Sequence, residues 1–133
     1  MTPAEWAVIE DAKTNGCIPC MIRVELGLMS HDLAFKFAGW DHFKSGNIRR
    51  GHLYGCACCD WHHQGHTRPD WTKKRMTEVY GPSKHYGAGP FEEAFGNDDY
   101  LILYQLAHLG FDVDVQGGAD EVDRIVKEIT GGG

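Results

Sequence analysis

The sequence has no apolar run long enough to cross a membrane and no secretion signal at its start. A membrane helix needs about 20 consecutive apolar residues, and no segment of the 133-residue chain approaches that length. The first 20 residues include Glu5, Glu10 and Asp11, whereas a signal peptide opens with basic residues. We therefore expect a soluble, cytoplasmic protein without membrane contact, and a chain of this size predicts a single domain over residues 1–133.

The sequence also lacks the even number of cysteines that a disulfide framework needs. It has five cysteines, three of them between residues 56 and 59, and in a reducing cytosol such clusters are more often metal ligands. Two pairs have the spacing of zinc knuckles, Cys17-x-x-Cys20 and Cys59-x-x-His62. Neither pair is set in the strand-to-helix pattern of a thioredoxin, so we predict a structural zinc site. Cys56 and Cys58 are alternative ligands, although we favour small buried apolar residues for both.

A surplus of positive charge is missing as well, because the net charge is −6. Taken alone this value argues against binding to a phosphate backbone. Residues 44–84, however, contain eight basic and three acidic side chains, a balance of +5, which leaves −11 for the rest of the chain. Six of the eight histidines lie in or beside this segment. The candidate nucleic-acid-binding residues are Lys44, Arg49, Arg50, Lys73 and Lys74.

Apolar periodicity and capping signals predict an α+β fold. Thr2-Pro3-Ala4-Glu5 is a capping box and predicts a helix to Lys13. The other predicted elements are strands over 22–28, 33–43 and 49–58, a short helix after an Asp60 cap, a helical turn over 91–95, and helices over 98–109 and 119–130. A short helix is the alternative for 22–28. Residues 66–90 have no clear period and predict a long loop, and the glycines at 131–133 predict a disordered tail.

Acidic and imidazole side chains recur along the predicted strand, strand and helix. They are Asp41 and His42 on one strand, His52 on the next and His63 on the helix. A divalent metal held by such groups stabilises charge on a scissile phosphate, while an unligated histidine takes a proton from the attacking water. A zinc deaminase is a weaker alternative, because the sequence lacks H-x-E followed by P-C-x-x-C.

These residues resemble the HNH-type (ββα-metal) nucleases, and more closely the phage recombination-enhancement nucleases that depend on RecA recombinase. The resemblance rests on Cys17-Ile18-Pro19-Cys20, on residues 41–52 (DHFKSGNIRRGH), on 59–65 (CDWHHQG), on 81–87 (GPSKHYG) and on Phe91-Glu92 with Phe95-Gly96. Together these blocks span about residues 15–110. The fold that the resemblance implies is a small zinc-stabilised ββα-metal core with flanking helices.

The resemblance also implies a function and a set of roles. It implies a metal-dependent DNA endonuclease that cleaves phosphodiester bonds, with DNA and RecA as partners and a phage or prophage origin in a bacterial host. The implied roles are structural zinc at Cys17, Cys20, Cys59 and His62, general base at His42, His52 orienting the base or lining the site, and catalytic Mg²⁺ or Mn²⁺ at Asp41, His63 and His85, with His66 as a competing ligand. The alternative hypothesis is a zinc-stabilised nucleic-acid-binding or adaptor module that does not cleave.

Overall fold

A computed structural model of the protein describes residues 1–45 and 48–131, with the side chains of residues 48 and 49 left out. The described residues form seven α-helices: α1 Pro3–Asn15, α2 Ile18–Glu25, α3 Asp60–Gln64, α4 Lys73–Tyr80, α5 Ala88–Phe95, α6 Asp98–His108 and α7 Gly118–Thr130. They also form four short strands: β1 Gly39–His42, β2 Lys44–Ser45, β3 Ile48–Arg49 and β4 Gly55–Cys58. The α+β class is therefore confirmed. No helix in the described part of the chain is long and apolar enough to cross a membrane.

The strands form two small antiparallel pairs instead of one continuous hairpin. β1 pairs with β4, which places Asp41 opposite Cys56, and β2 pairs with β3. Between the two pairs Phe43 is buried, and Gly51 has a φ of 142°, a backbone conformation that favours glycine. The predicted continuous strand over 49–58 is therefore wrong, and of the predicted strand over 33–43 only β1 forms.

Two further predictions about elements are wrong. The strand predicted over 22–28 is wrong and its alternative, a short helix, is confirmed for residues 22–25, because α2 begins at Ile18 with Pro19 in its first turn and ends at Glu25. The predicted loop over 66–90 contains α4, which begins after Thr72, whose side chain accepts a hydrogen bond from the backbone of Arg75. Only Met76 and Tyr80 of α4 are buried, and two apolar residues leave too weak a periodic signal in the sequence.

The terminal helices agree closely with the sequence. The capping box of α1 is present, with Glu5 N donating to Thr2 Oγ1 at 3.1 Å and Thr2 N donating to Glu5 Oε1 at 2.9 Å. α6 and α7 cover the predicted segments, although Asn97 and not Asp98 caps α6. The predicted disordered tail is not tested, because residues 132–133 lie outside the described part of the chain.

The buried side chains form two clusters that meet at the strands. One cluster joins α1, α5, α6 and α7 to β4. Gln105 of α6 fixes that contact, because its amide accepts from Ala57 N at 2.8 Å and donates to Gly55 O at 3.2 Å. The second cluster surrounds the cysteines of α2 and α3 and includes Met76 and Tyr80 of α4. α3 follows β4 directly, and the ring of His62 contacts aromatic rings of both clusters, Tyr80 in one and Phe91 and Phe95 in the other.

Candidate metal centre and active site

Two helix starts bring the four predicted zinc ligands together. Cys17 is the N-cap of α2 and Cys20 lies in its first turn. Cys59, and not the predicted Asp60, is the N-cap of α3, and His62 lies in that helix. Their ligand atoms all lie within 4.8 Å of one another, and all four residues are buried. Among the described residues this is the only set of three or more metal-binding side chains that meets so closely.

The distances within this set suit a tetrahedral metal ion. His62 Nδ1 lies 3.3 Å from Cys17 Sγ, 3.7 Å from Cys20 Sγ and 3.2 Å from Cys59 Sγ. Sulfur and nitrogen ligands of a tetrahedral zinc ion are about 3.6 Å apart. The other ring nitrogen, His62 Nε2, lies 2.7 Å from the carbonyl oxygen of Tyr80. A proton on Nε2 leaves the Nδ1 lone pair facing the sulfurs, as a metal ligand requires. The set could therefore hold a metal ion such as zinc.

The close packing of the three cysteines shifts the pKa values of their thiols in opposite directions. Burial raises the pKa of the Cys17 thiol well above its ordinary value. Hydrogen bonds from Cys17 and Cys20 hold the pKa of Cys59 far below its ordinary range. Zinc binds the thiolate form of cysteine, so binding of the ion would displace the protons that remain on the three thiols.

The other two cysteines lie outside this set. Cys56 and Cys58 are buried on β4, as predicted for small apolar side chains, with 3.1 Å between their sulfurs. Both belong to the core cluster of α6 and α7, whereas the three cysteines of the Cys₃His set belong to the second cluster.

A second polar site lies between β1 and α3, centred on Asp41. Asp41 is only 5% exposed, which is costly for a carboxylate unless partners compensate for the lost water. Its Oδ1 lies 3.3 Å from His63 Nε2 of α3, and its Oδ2 accepts from Lys84 Nζ at 2.9 Å. His42 borders the same cavity of about 280 Å³, together with Trp40 and Lys44. The structure thus brings three of the sequence-predicted catalytic residues to one place.

Lys84 is the member of this site that sequence reasoning missed. Burial disfavours the charged form of its ammonium, but the hydrogen bond and charge of Asp41 outweigh this and raise the pKa of Lys84. The ammonium also lies 4.7 Å from the ring centre of Phe43. Asp98, at the start of α6, faces the same charges, and burial raises the pKa of its carboxyl. The only signal for Lys84 in the sequence is its position inside the block 81–87, next to the predicted ligand His85.

Three of the predicted histidines are placed elsewhere. His52 is exposed in the segment that separates β3 from β4, because the returning strand is interrupted there. His66 borders a different cavity, beside Phe37 and Arg68. His85 is exposed, with its ring 4.8 Å from that of Tyr86. The predicted three-ligand set of Asp41, His63 and His85 is absent from the close metal-binding groups of the described residues.

The predicted nucleic-acid-binding residues differ in their exposure and in their contacts with other side chains. Arg50 is engaged, because its Nη1 donates to Asp99 at 3.1 Å and its guanidinium lies 4.5 Å from the ring centre of Tyr54. Lys73 is exposed and lies over the ring of Tyr86, 3.6 Å from its centre. Lys44 and Lys74 are exposed. The prediction for Arg49 cannot be compared, since its side chain lies outside the described residues.

The comparison with known families identifies the family of the chain. The family described as recombination enhancement, RecA-dependent nuclease matches residues 2–110, which include the Cys₃His set and the site at Asp41. Searches of curated proteins and of solved structures find no match. α7 lies beyond the matched residues. Because the match covers most of the sequence, the chain belongs to the family of RecA-dependent nucleases that act in recombination enhancement.

Proposed function

We propose that the chain is a metal-dependent DNA endonuclease of the HNH (ββα-metal) type that cleaves DNA brought to it by a RecA filament. The observation that carries the proposal is one distance. Asp41 Oδ1 on β1 lies 3.3 Å from His63 Nε2 on α3, and both residues line the same cavity. β1, β4 and α3 follow one another as two antiparallel strands and a helix. A ββα-metal site has this order, with its ion held between the strands and the helix.

Asp41 and His63 are the residues that would hold the catalytic ion. Two adjacent ligands of an octahedral Mg²⁺ at about 2.1 Å are about 3.0 Å apart, so little movement would seat an ion on these two side chains. Mg²⁺ takes few protein ligands and completes its shell with water and phosphate oxygens. When bound, the ion supplies positive charge to the scissile phosphate and its leaving oxygen. His85, next to Lys84 in sequence, would have to turn from its exposed position to join them.

The remaining side chains orient the reaction and move the proton. His42 borders the cavity beside Asp41 and would accept the proton of the attacking water. Lys84 holds Oδ2 of Asp41, which leaves Oδ1 turned toward His63 and fixes the direction of the carboxylate. Lys44 lies at the same cavity and is exposed, where its ammonium would contact a DNA phosphate.

The test of the proposal is a nicking assay that varies RecA and the metal independently. Zinc-loaded protein is mixed with supercoiled plasmid and a RecA filament on a homologous single strand, with or without Mg²⁺, and with Mg²⁺ but no RecA. Mg²⁺ is left out and not chelated, because a chelator would also remove zinc. Cleavage is expected only when both RecA and Mg²⁺ are present.

The alternative, a binding module that does not cleave, predicts a different result in the same assay. The protein would bind the plasmid with an affinity that falls steeply with salt, and no product would form under any condition. That outcome would replace the endonuclease proposal.

A further inference from the structure

A second cavity lies next to the ββα unit. Its volume is about 310 Å³, and it lies between the segment 35–39, the first turn of α3 and the segment 66–69. Phe35, Phe37 and Trp61 contribute aromatic walls, while His66 and Arg68 contribute polar groups that can carry positive charge. The catalytic proposal uses none of these residues.

Phe37 lines this cavity and is largely exposed to solvent. It is 79% exposed, more than any other large apolar side chain among the described residues of the chain. Burial of a phenylalanine ring stabilises a protein, and Phe37 gains little of this stabilisation in the isolated protein. A ligand that covers its ring would recover that free energy.

Arg68 is held in place beside the ring walls. Its Nη1 donates to Tyr80 Oη at 2.7 Å, and its guanidinium lies 5.4 Å from the ring centres of both Phe35 and Trp71. Arg75 lies next to the cavity lining, over the same Trp71 ring, 4.0 Å from its centre. No ion pair between described residues includes Arg68 or Arg75. The cavity therefore combines an exposed aromatic ring with fixed positive charge that no carboxylate neutralises by a direct contact.

We propose that this cavity binds an unpaired nucleobase of a DNA strand, stacked on Phe37, with Arg68 and Arg75 facing the adjoining phosphates. Aromatic platforms flanked by basic groups are how proteins bind single strands without reading sequence. Asp60 also borders the cavity, and its carboxylate can accept a hydrogen bond from a ring N–H or an exocyclic amino group of the base. The inference rests on the proposed function in one respect, which is that DNA is the substrate.

The position of the cavity suits a substrate with a locally opened strand. Gly39 borders this cavity, whereas Trp40 and His42 of the same strand border the catalytic cavity. Three residues of a strand span about 10 Å. A base held in this cavity would therefore place a neighbouring phosphate of the same DNA strand near Asp41. Fully paired DNA could not occupy both cavities, because its bases stay paired.

The test measures DNA binding without cleavage, so that it does not depend on the catalytic proposal. Fluorescein-labelled oligo(dT) and a duplex of equal length are titrated with zinc-loaded protein in the absence of Mg²⁺, and anisotropy gives the Kd. Phe37→Ala is expected to weaken binding to the single strand by about 5-fold to 100-fold, because stacking on one aromatic ring is worth about 1–3 kcal/mol. Phe37→Trp should restore it, and duplex binding should change less than about twofold.

A matched control is Leu28→Ala, which removes another exposed apolar side chain, 58% exposed, away from the cavity. The inference is overturned if Phe37→Ala binds oligo(dT) as tightly as the wild type, if it weakens duplex binding equally, or if the wild type does not bind oligo(dT). A variant that binds DNA normally but no longer associates with a RecA filament would assign Phe37 to a protein interface instead. Normal binding by the wild type without nicking would defeat the endonuclease proposal and leave the nucleobase site standing.

Discussion

Replacement of one zinc ligand is expected to unfold most of the protein. Binding of zinc to a Cys₃His set contributes about 10 kcal/mol or more at neutral pH, whereas a whole domain is stable by about 5–15 kcal/mol. In this chain the Cys₃His set connects α2 to α3. It also contacts α4, because His62 is hydrogen-bonded to the carbonyl oxygen of Tyr80. Cys20→Ser therefore removes the centre of the second buried cluster, to which Cys20 and Tyr80 both belong.

The measurement combines zinc content with unfolding. The wild type is expected to contain one zinc per chain by mass spectrometry of metals, and Cys20→Ser none, with loss of a cooperative thermal transition. Cys58→Ala is the matched control, because it also removes a buried thiol but lies outside the ligand set. It should keep its zinc and lose only about 1–2 kcal/mol of stability. A zinc-free wild type, or a Cys20→Ser protein with an unchanged transition, would refute the zinc assignment.

His42→Ala is expected to reduce cleavage by about 10²-fold to 10⁴-fold, which is the usual contribution of a general base. Binding of DNA should remain close to that of the wild type, so that the loss appears in the single-turnover rate and not in the Kd. His42 is half-buried at the end of β1 and borders the cavity of Asp41.

His52→Ala is the matched control for His42→Ala, because it replaces a histidine of the same sequence block that lies outside the cavity. His52 occupies the middle place of the HNH-like block, yet it is exposed and does not border that cavity. Its replacement should change the rate less than about threefold, in keeping with the small effects of surface substitutions. A His52→Ala enzyme as slow as His42→Ala would show that the segment between β3 and β4 closes over the site during the reaction.

Local signals in the sequence were sufficient to predict the Cys₃His set and the terminal helices. The four residues of the set lie in two short motifs that have the spacing of zinc ligands, and the capping box of Thr2 and Glu5 is a contact within four residues. Such features need no knowledge of the rest of the fold.

The arrangement of the site at Asp41 could not be predicted from short sequence motifs. A period of two through residues 49–58 would place His52 on the same face as Cys56, but the positive φ of Gly51 and the separate pairing of β3 interrupt that period. Lys84 reaches Asp41 from 43 positions away along the chain. Neither a turn inside an alternating pattern nor a contact of that separation can be derived from the residues alone.

Counting bound Mn²⁺ on zinc-loaded protein tests the central claim, a second metal centre at Asp41 and His63, most directly. The electron paramagnetic resonance signal of free Mn²⁺ gives the bound fraction during a titration, with zinc content and circular dichroism as checks on folding. The wild type is expected to bind one Mn²⁺ beyond its zinc, and Asp41→Asn and His63→Ala to bind it at least about 10-fold more weakly, while His66→Ala binds as the wild type does. If folded, zinc-loaded Asp41→Asn binds Mn²⁺ as tightly as the wild type, the catalytic centre does not lie at Asp41.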